Sequence, residues 1–130
     1  MRPLTITSAL TAAATVLLLA PSASAAVPMS AHDTSEEVTI SVKGQGLHVD
    51  TITVTSSRHR HSEAFRVYRH TGSAATQSNV TRWKTARFHT AGMTRFAAAS
   101  WKIDARFPHG TWLCAVARKS SGNPCIRVKR

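Results

Sequence analysis

The stretch SRHRHSEAFRVYRH, residues 57–70, gathers four arginines, three histidines and one glutamate around a short apolar alternation. Those residue types support several chemistries. His59 and His61 would lie on one side of a strand, about 6–7 Å apart, where two imidazoles can share a borderline divalent ion. A specific metal site wants three or four ligands, so His70, His48 or Glu63 would have to converge on the pair. The sequence shows no such convergence, and no metal ligand or cofactor is expected. A nuclease would need a base, an acid and a cation for the phosphate, roles open to Glu63, to His59 or His61, and to Arg66 or Arg69. Three roles drawn from one window rich in Arg and His are weak support. No GxSxG, HExxH, P-loop or GxGxxG pattern occurs elsewhere. No catalytic residue is assigned, and a non-enzymatic role is expected.

Binding to a polyanion asks less of the chain. Arg58, Arg60, Arg66 and Arg69 can make bidentate contacts to phosphate, and Tyr68 offers a flat face for stacking. Arg82 and Lys84 carry the parity of Arg66 one strand later, while Arg127 and Lys129 form a third pair. If those strands are neighbours, a basic sheet face results. Global charge points the same way: 17 Lys and Arg stand against 6 Asp and Glu, a net of +11. Such a field attracts polyanions and weakens with salt. The expected partners are an anionic cell-wall polymer, an acidic polysaccharide or nucleic acid. An ordinary solvated hairpin edge accounts for the same residues equally well. A third reading, a protease-inhibitor-like module, rests on loop 118–124 as a pre-organised, disulfide-closed shape.

The compartment is read from the ends. Residues 1–25 have one early Arg, an apolar run centred on Val16 to Ala20, Pro21 and the triplet Ala23-Ser24-Ala25, the pattern of a secretory signal peptide. Cleavage after Ala25 is expected, giving a secreted protein with no transmembrane segment left. Residues 26–36 carry few large apolar side chains and read as a flexible lead-in, followed by one domain over 37–130. In an oxidising compartment Cys114 and Cys125 should pair, closing a short loop worth about 3 kcal/mol in the chain-entropy model.

The elements that must position these groups read as strands. Val38, Ile40 and Val42 alternate with polar residues, and Gly44-Gln45-Gly46 supplies a connection. In LHVDTITVTS the apolar parity slips between Val49 and Ile52, which a bulge near Asp50-Thr51 would reconcile. Phe65 and Val67 oppose Arg66 and Tyr68. Residues 71–79 form a polar loop, and 80–90 are strand-like with mixed parity. Residues 93–105 fit either a strand, with Ala97, Ala99, Trp101 and Ile103 on one face, or a weaker helical stripe; the strand is preferred. In the last hairpin Ile126 and Val128 should face the core. Cys125, Arg127 and Lys129 should face outward, and Trp112 either joins them or is buried. Six or seven short strands with no convincing helix indicate a β-sandwich, with Trp83, Trp101, Phe65, Phe88 and Phe96 in its core.

The ending GTWLCAVA…NPCIRVKR, behind an Ala-rich leader, resembles the small secreted immunoglobulin-like proteins of actinobacteria, most of which lack an assigned activity. The likeness covers about the last third of the mature chain. It implies an all-β, immunoglobulin-like sandwich of about seven antiparallel strands with one disulfide, and an exported compartment. It carries over no functional residue.

Overall fold

A computed structural model describes residues 28–58 and 62–130. The signal-peptide expectation for 1–25, and Arg60 with its neighbours His59 and His61, lie outside the described residues.

Ten strands make two antiparallel five-stranded sheets. The first sheet contains β1 (Pro28–Ser35), β2 (Val38–Gln45), β3 (His48–Ser56), β7 (Arg87–Ala91) and β8 (Thr94–Arg106), in the order β1-β2-β3-β8-β7. The second contains β4 (Ala64–His70), β5 (Ser78–Asn79), β6 (Lys84–Thr85), β9 (Trp112–Ala117) and β10 (Cys125–Arg127). Its order is β10-β9-β4-β5, with β6 also on β4. The strand count exceeds the expected seven because residues 78–91 hold three short strands and the presumed lead-in is also a strand. Among the described residues no helix is long and apolar enough to cross a membrane.

The period of two sets the core. Val38, Ile40, Val42, Ile52 and Val54 from the first sheet meet Phe65, Val67, Leu113, Ala115 and Ile126 from the second, nearly all fully buried. Each such large side chain contributes about 1.5–3 kcal/mol by leaving water. Trp101 and Ile103 pack against this core only in part. Trp83 and Phe96 are also only half-buried, and Phe88 is 42% exposed. Of the five aromatics expected in the core only Phe65 is fully buried, so the core is mostly aliphatic, and β7, which carries Phe88, is exposed along its whole length.

The parity slip in β3 is resolved by a bulge. Lys43 pairs with Thr51 but Gly44 with Val49, leaving Asp50 as an extra residue, and the β3–β8 register shifts between the same Val49 and Thr51. Asp104 lies opposite with φ 47, a left-handed conformation that Asp tolerates better than most residues. Residues 94–106 form one long strand, as preferred from the alternation.

Residues 28–35 are not a flexible lead-in. They form β1, paired along its whole length with β2 from Pro28↔Gln45 to Ser35↔Val38. Their polar composition suits an edge strand, which is held by backbone bonds more than by apolar burial. Asp33 adds a side-chain tie, accepting the backbone N–H of Cys125 at 3.1 Å.

Candidate functional site

The second sheet is built without acid. None of β4, β5, β6, β9 or β10 contains Asp or Glu. Its outward positions are set by register. Tyr68 pairs with Cys114 and Arg66 with Val116, while Arg127 pairs with Trp112 and Cys125 with Cys114. Residues directly opposite share a face, so Arg66, Tyr68, His70, Trp112 and Arg127 point out together. Phe65, Val67, Leu113 and Ala115 fill the core behind them.

These outward side chains form a strip of rings and cations across the sheet. At one end the guanidinium groups of Arg66 and Arg118 each sit 4.7 Å from the Trp83 ring centroid. Further along, Tyr68 stacks on His70 at 6.3 Å, His70 on Trp112 at 6.2 Å, and Arg127 lies 5.9 Å over Trp112. The strip crosses strands spaced about 4.8 Å apart. Among the described residues no Lys or Arg forms an ion pair with a carboxylate, and the ring of His48 is the basic group that reaches Asp50 and Asp104. The Arg66 Nε–H is buried with no acceptor among the described residues. Its guanidinium is placed by the Trp83 ring rather than by an acid.

The disulfide supports one end of this strip. Cys114 and Cys125 are bonded, with Cα atoms 4.1 Å apart on adjacent strands. Cys114 is fully buried beneath the outward rings, and His70 Nε2 lies 3.5 Å from its sulfur. Of the two orientations left open, the half-exposed Trp112 beside Arg127 is the one found.

Of the eight cations named from the sequence, Arg60 lies outside the described residues and the other seven divide into separate groups. Arg66 and Arg127 are on the outer strip, and exposed Lys129 keeps the parity of Arg127. Arg69, Arg82 and Lys84 do not join them. Lys84 pairs with Phe65 and Arg69 with Leu113, so both point to the core side and emerge where the sheets part. Parity does not carry from β4 to β6, because the loop 71–79 and the two-residue strand β5 set the register independently. Arg58 donates to the Lys119 carbonyl at 2.8 Å, against the loop that follows β9. Arg118, on the outward parity of Trp112, Cys114 and Val116, belongs to the strip and was legible from that alternation.

Glu63 is fixed in a structural role. Its carboxylate is 3% exposed and accepts the backbone N–H groups of Ala64, Lys119 and Ser120 and the Ser120 hydroxyl. Burial alone would raise its pKa; the Ser120 hydroxyl and the three backbone donors outweigh that and hold it below the usual 4.5. A carboxylate so occupied is a poor general base. The loop 118–124 is anchored at intervals, with Arg118, Lys119, Ser121 and Asn123 exposed. Ser120 and Pro124 are buried, Ser121 N–H reaches Glu37 at 2.8 Å, and Asn123 bridges Tyr68 and the Ala115 carbonyl.

One cluster of metal-type donors was not assembled from the sequence. The bulge brings His48, Asp50 and Asp104 together, with His48 Nε2 2.8 Å from Asp104 and 3.2 Å from Asp50. These N and O donors suit a divalent ion, although they are exposed and already engage one another. A second group, His70 with Cys114 and Cys125, offers no thiolate because both sulfurs are in the disulfide.

No protein-family model matches the chain, and neither does any curated protein or solved structure.

Proposed function

We propose that this chain is an exported, non-enzymatic binding module that holds an anionic polymer against the outer face of its second sheet. The observation that carries the reading is the acid-free strip running from Arg118, Trp83 and Arg66 to Trp112 and Arg127. Guanidinium groups supply bidentate contacts to phosphate, sulfate or carboxylate, and rings at intervals give flat surfaces for sugars or bases. Where no carboxylate competes for those cations, attraction to a polyanion is not spent within the protein. A cell-wall polymer, acidic polysaccharide or nucleic acid presents the matching repeat of charge. An intact disulfide suits an oxidising, extracellular setting, in keeping with the signal-like N-terminus and the immunoglobulin-like character read from the sequence.

The test is affinity for immobilised heparin as a function of salt. The native protein should be retained, and an R66Q/R118Q/R127Q variant should elute earlier with a log–log salt slope reduced by about three, roughly one per lost contact. Equal elution of variant and native protein would sink the proposal.

A further inference from the structure

A second surface carries its own chemistry. Where β5 and β6 shrink to two residues each, the second sheet fails to cover the C-terminal half of β8. The β7–β8 pairing also stops at Arg87↔Ala98, so this half of β8 has β3 on one side and an open edge on the other. Between them lies a groove of about 640 Å³, a size typical of small-molecule sites. Trp101, Ile103, Ala105 and Phe107 line one wall, and Trp83 and Val80 the other. Arg69, Arg82, Lys84 and Lys102 add four cations to the lining, which Asn79 and Thr81 complete and which contains no carboxylate. Arg69 is steadied by Ser78 at 3.0 Å and lies 5.9 Å over the Phe107 ring, and Lys84 lies 5.9 Å over Trp101 while donating to the Ser100 carbonyl.

We infer that this groove binds a single anionic amphiphile, with its alkyl chain along the aromatic and aliphatic wall and its phosphate between Arg69 and Arg82. The concavity and the apolar wall favour one molecule lifted out of solution, where the open outer strip favours an extended polymer. Four cations in the lining with no acid to neutralise them select against a neutral chain, and the apolar wall selects against a bare anion. Two guanidinium groups give phosphate the fork geometry that a lone ammonium lacks. The groove shares Trp83 with the outer strip but takes its phosphate on Arg69 and Arg82, which are not strip residues, so R69Q/R82Q and the heparin variant remove different cations.

The experiment is a titration with dodecyl phosphate below its micellisation concentration, followed by intrinsic fluorescence, since two of the three tryptophans line the groove. Saturable binding with a blue shift is expected. Dodecyl maltoside and inorganic phosphate should each bind at least tenfold more weakly, because each offers only half of the recognised chemistry. R69Q/R82Q should lose about tenfold in affinity, while K43Q, on exposed β2 surface, should match the native protein. A105F, filling the wall, should abolish binding while far-UV circular dichroism still shows the folded β domain, since Ala105 packs only in part against the core. No saturable response, equal binding of dodecyl maltoside, or native affinity in R69Q/R82Q would overturn the assignment.

Discussion

The carboxylate of Glu63 accepts hydrogen bonds from both the backbone N–H and the hydroxyl of Ser120, each at 2.7 Å. Ser120 Oγ in turn meets Ser56 Oγ, so one buried acid ties the end of β3, the start of β4 and the loop after β9. Replacing it by Gln keeps the volume but removes the charge and part of the accepting capacity. E63Q is expected to lose about 2 kcal/mol, read as a lowered urea midpoint at neutral pH. An unchanged midpoint would show that the network is dispensable.

The same group gives a direction for pH dependence. Its folded pKa lies below the ordinary 4.5, so the folded state binds this proton less readily than the unfolded chain does. The stability it supplies is complete above the unfolded value and is lost as pH falls through the folded one. Unfolding free energy should decline on acidification below about 4.5, and the decline should be shallower in E63Q. Parallel profiles for the two proteins would contradict this.

Gly122 has φ +119, and a Cβ added there would stand 1.9 Å from the Ser35 carbonyl oxygen. Gly72 has a similar φ of +115 with nothing within 4 Å of that position. G72A should therefore cost only the backbone term, about 1–3 kcal/mol, whereas G122A should cost more by also pushing the loop away from the β1–β2 turn. Thermal midpoints of the two variants measure the difference, and equal losses would refute the close approach.

Strand β10 has three registered residues, Cys125, Ile126 and Arg127. Reduction of its bond to Cys114, or a C114S/C125S variant, should remove about 3 kcal/mol and loosen Arg127 from Trp112. Denaturation with and without reductant checks the first effect. Heparin elution at lower salt for the reduced protein checks the second, and unaltered elution would separate the bridge from the binding strip.

How far the sequence led can be judged from particular residues. Alternation alone placed Ile40, Val67 and Ile126 inside and Arg66 and Arg127 outside, because a strand permits only two faces; it left the facing of Trp112 and Leu113 open. It also located the bulge at Asp50 from a break in parity. It misplaced Lys84 and Trp83, since parity is defined within a strand and says nothing about register across a nine-residue polar loop that ends in β5. It missed β1 because a polar segment can be held as an edge by its neighbour's backbone groups, for which no side-chain pattern exists. His48, Asp50 and Asp104 came together only through a bend in the backbone, 54 positions apart at the two carboxylates by their numbering.

Ala86 is the point at which one run of chain leaves β4 for β8, since β6 belongs to the second sheet and β7 to the first. The wall of the groove that carries Arg82, Trp83 and Lys84 is thus moored at both layers within a few residues. Spreading that mouth to admit a bulkier guest would mean stripping backbone bonds from one layer or the other. Selection there should act by fixed shape, with oversized guests refused rather than accommodated.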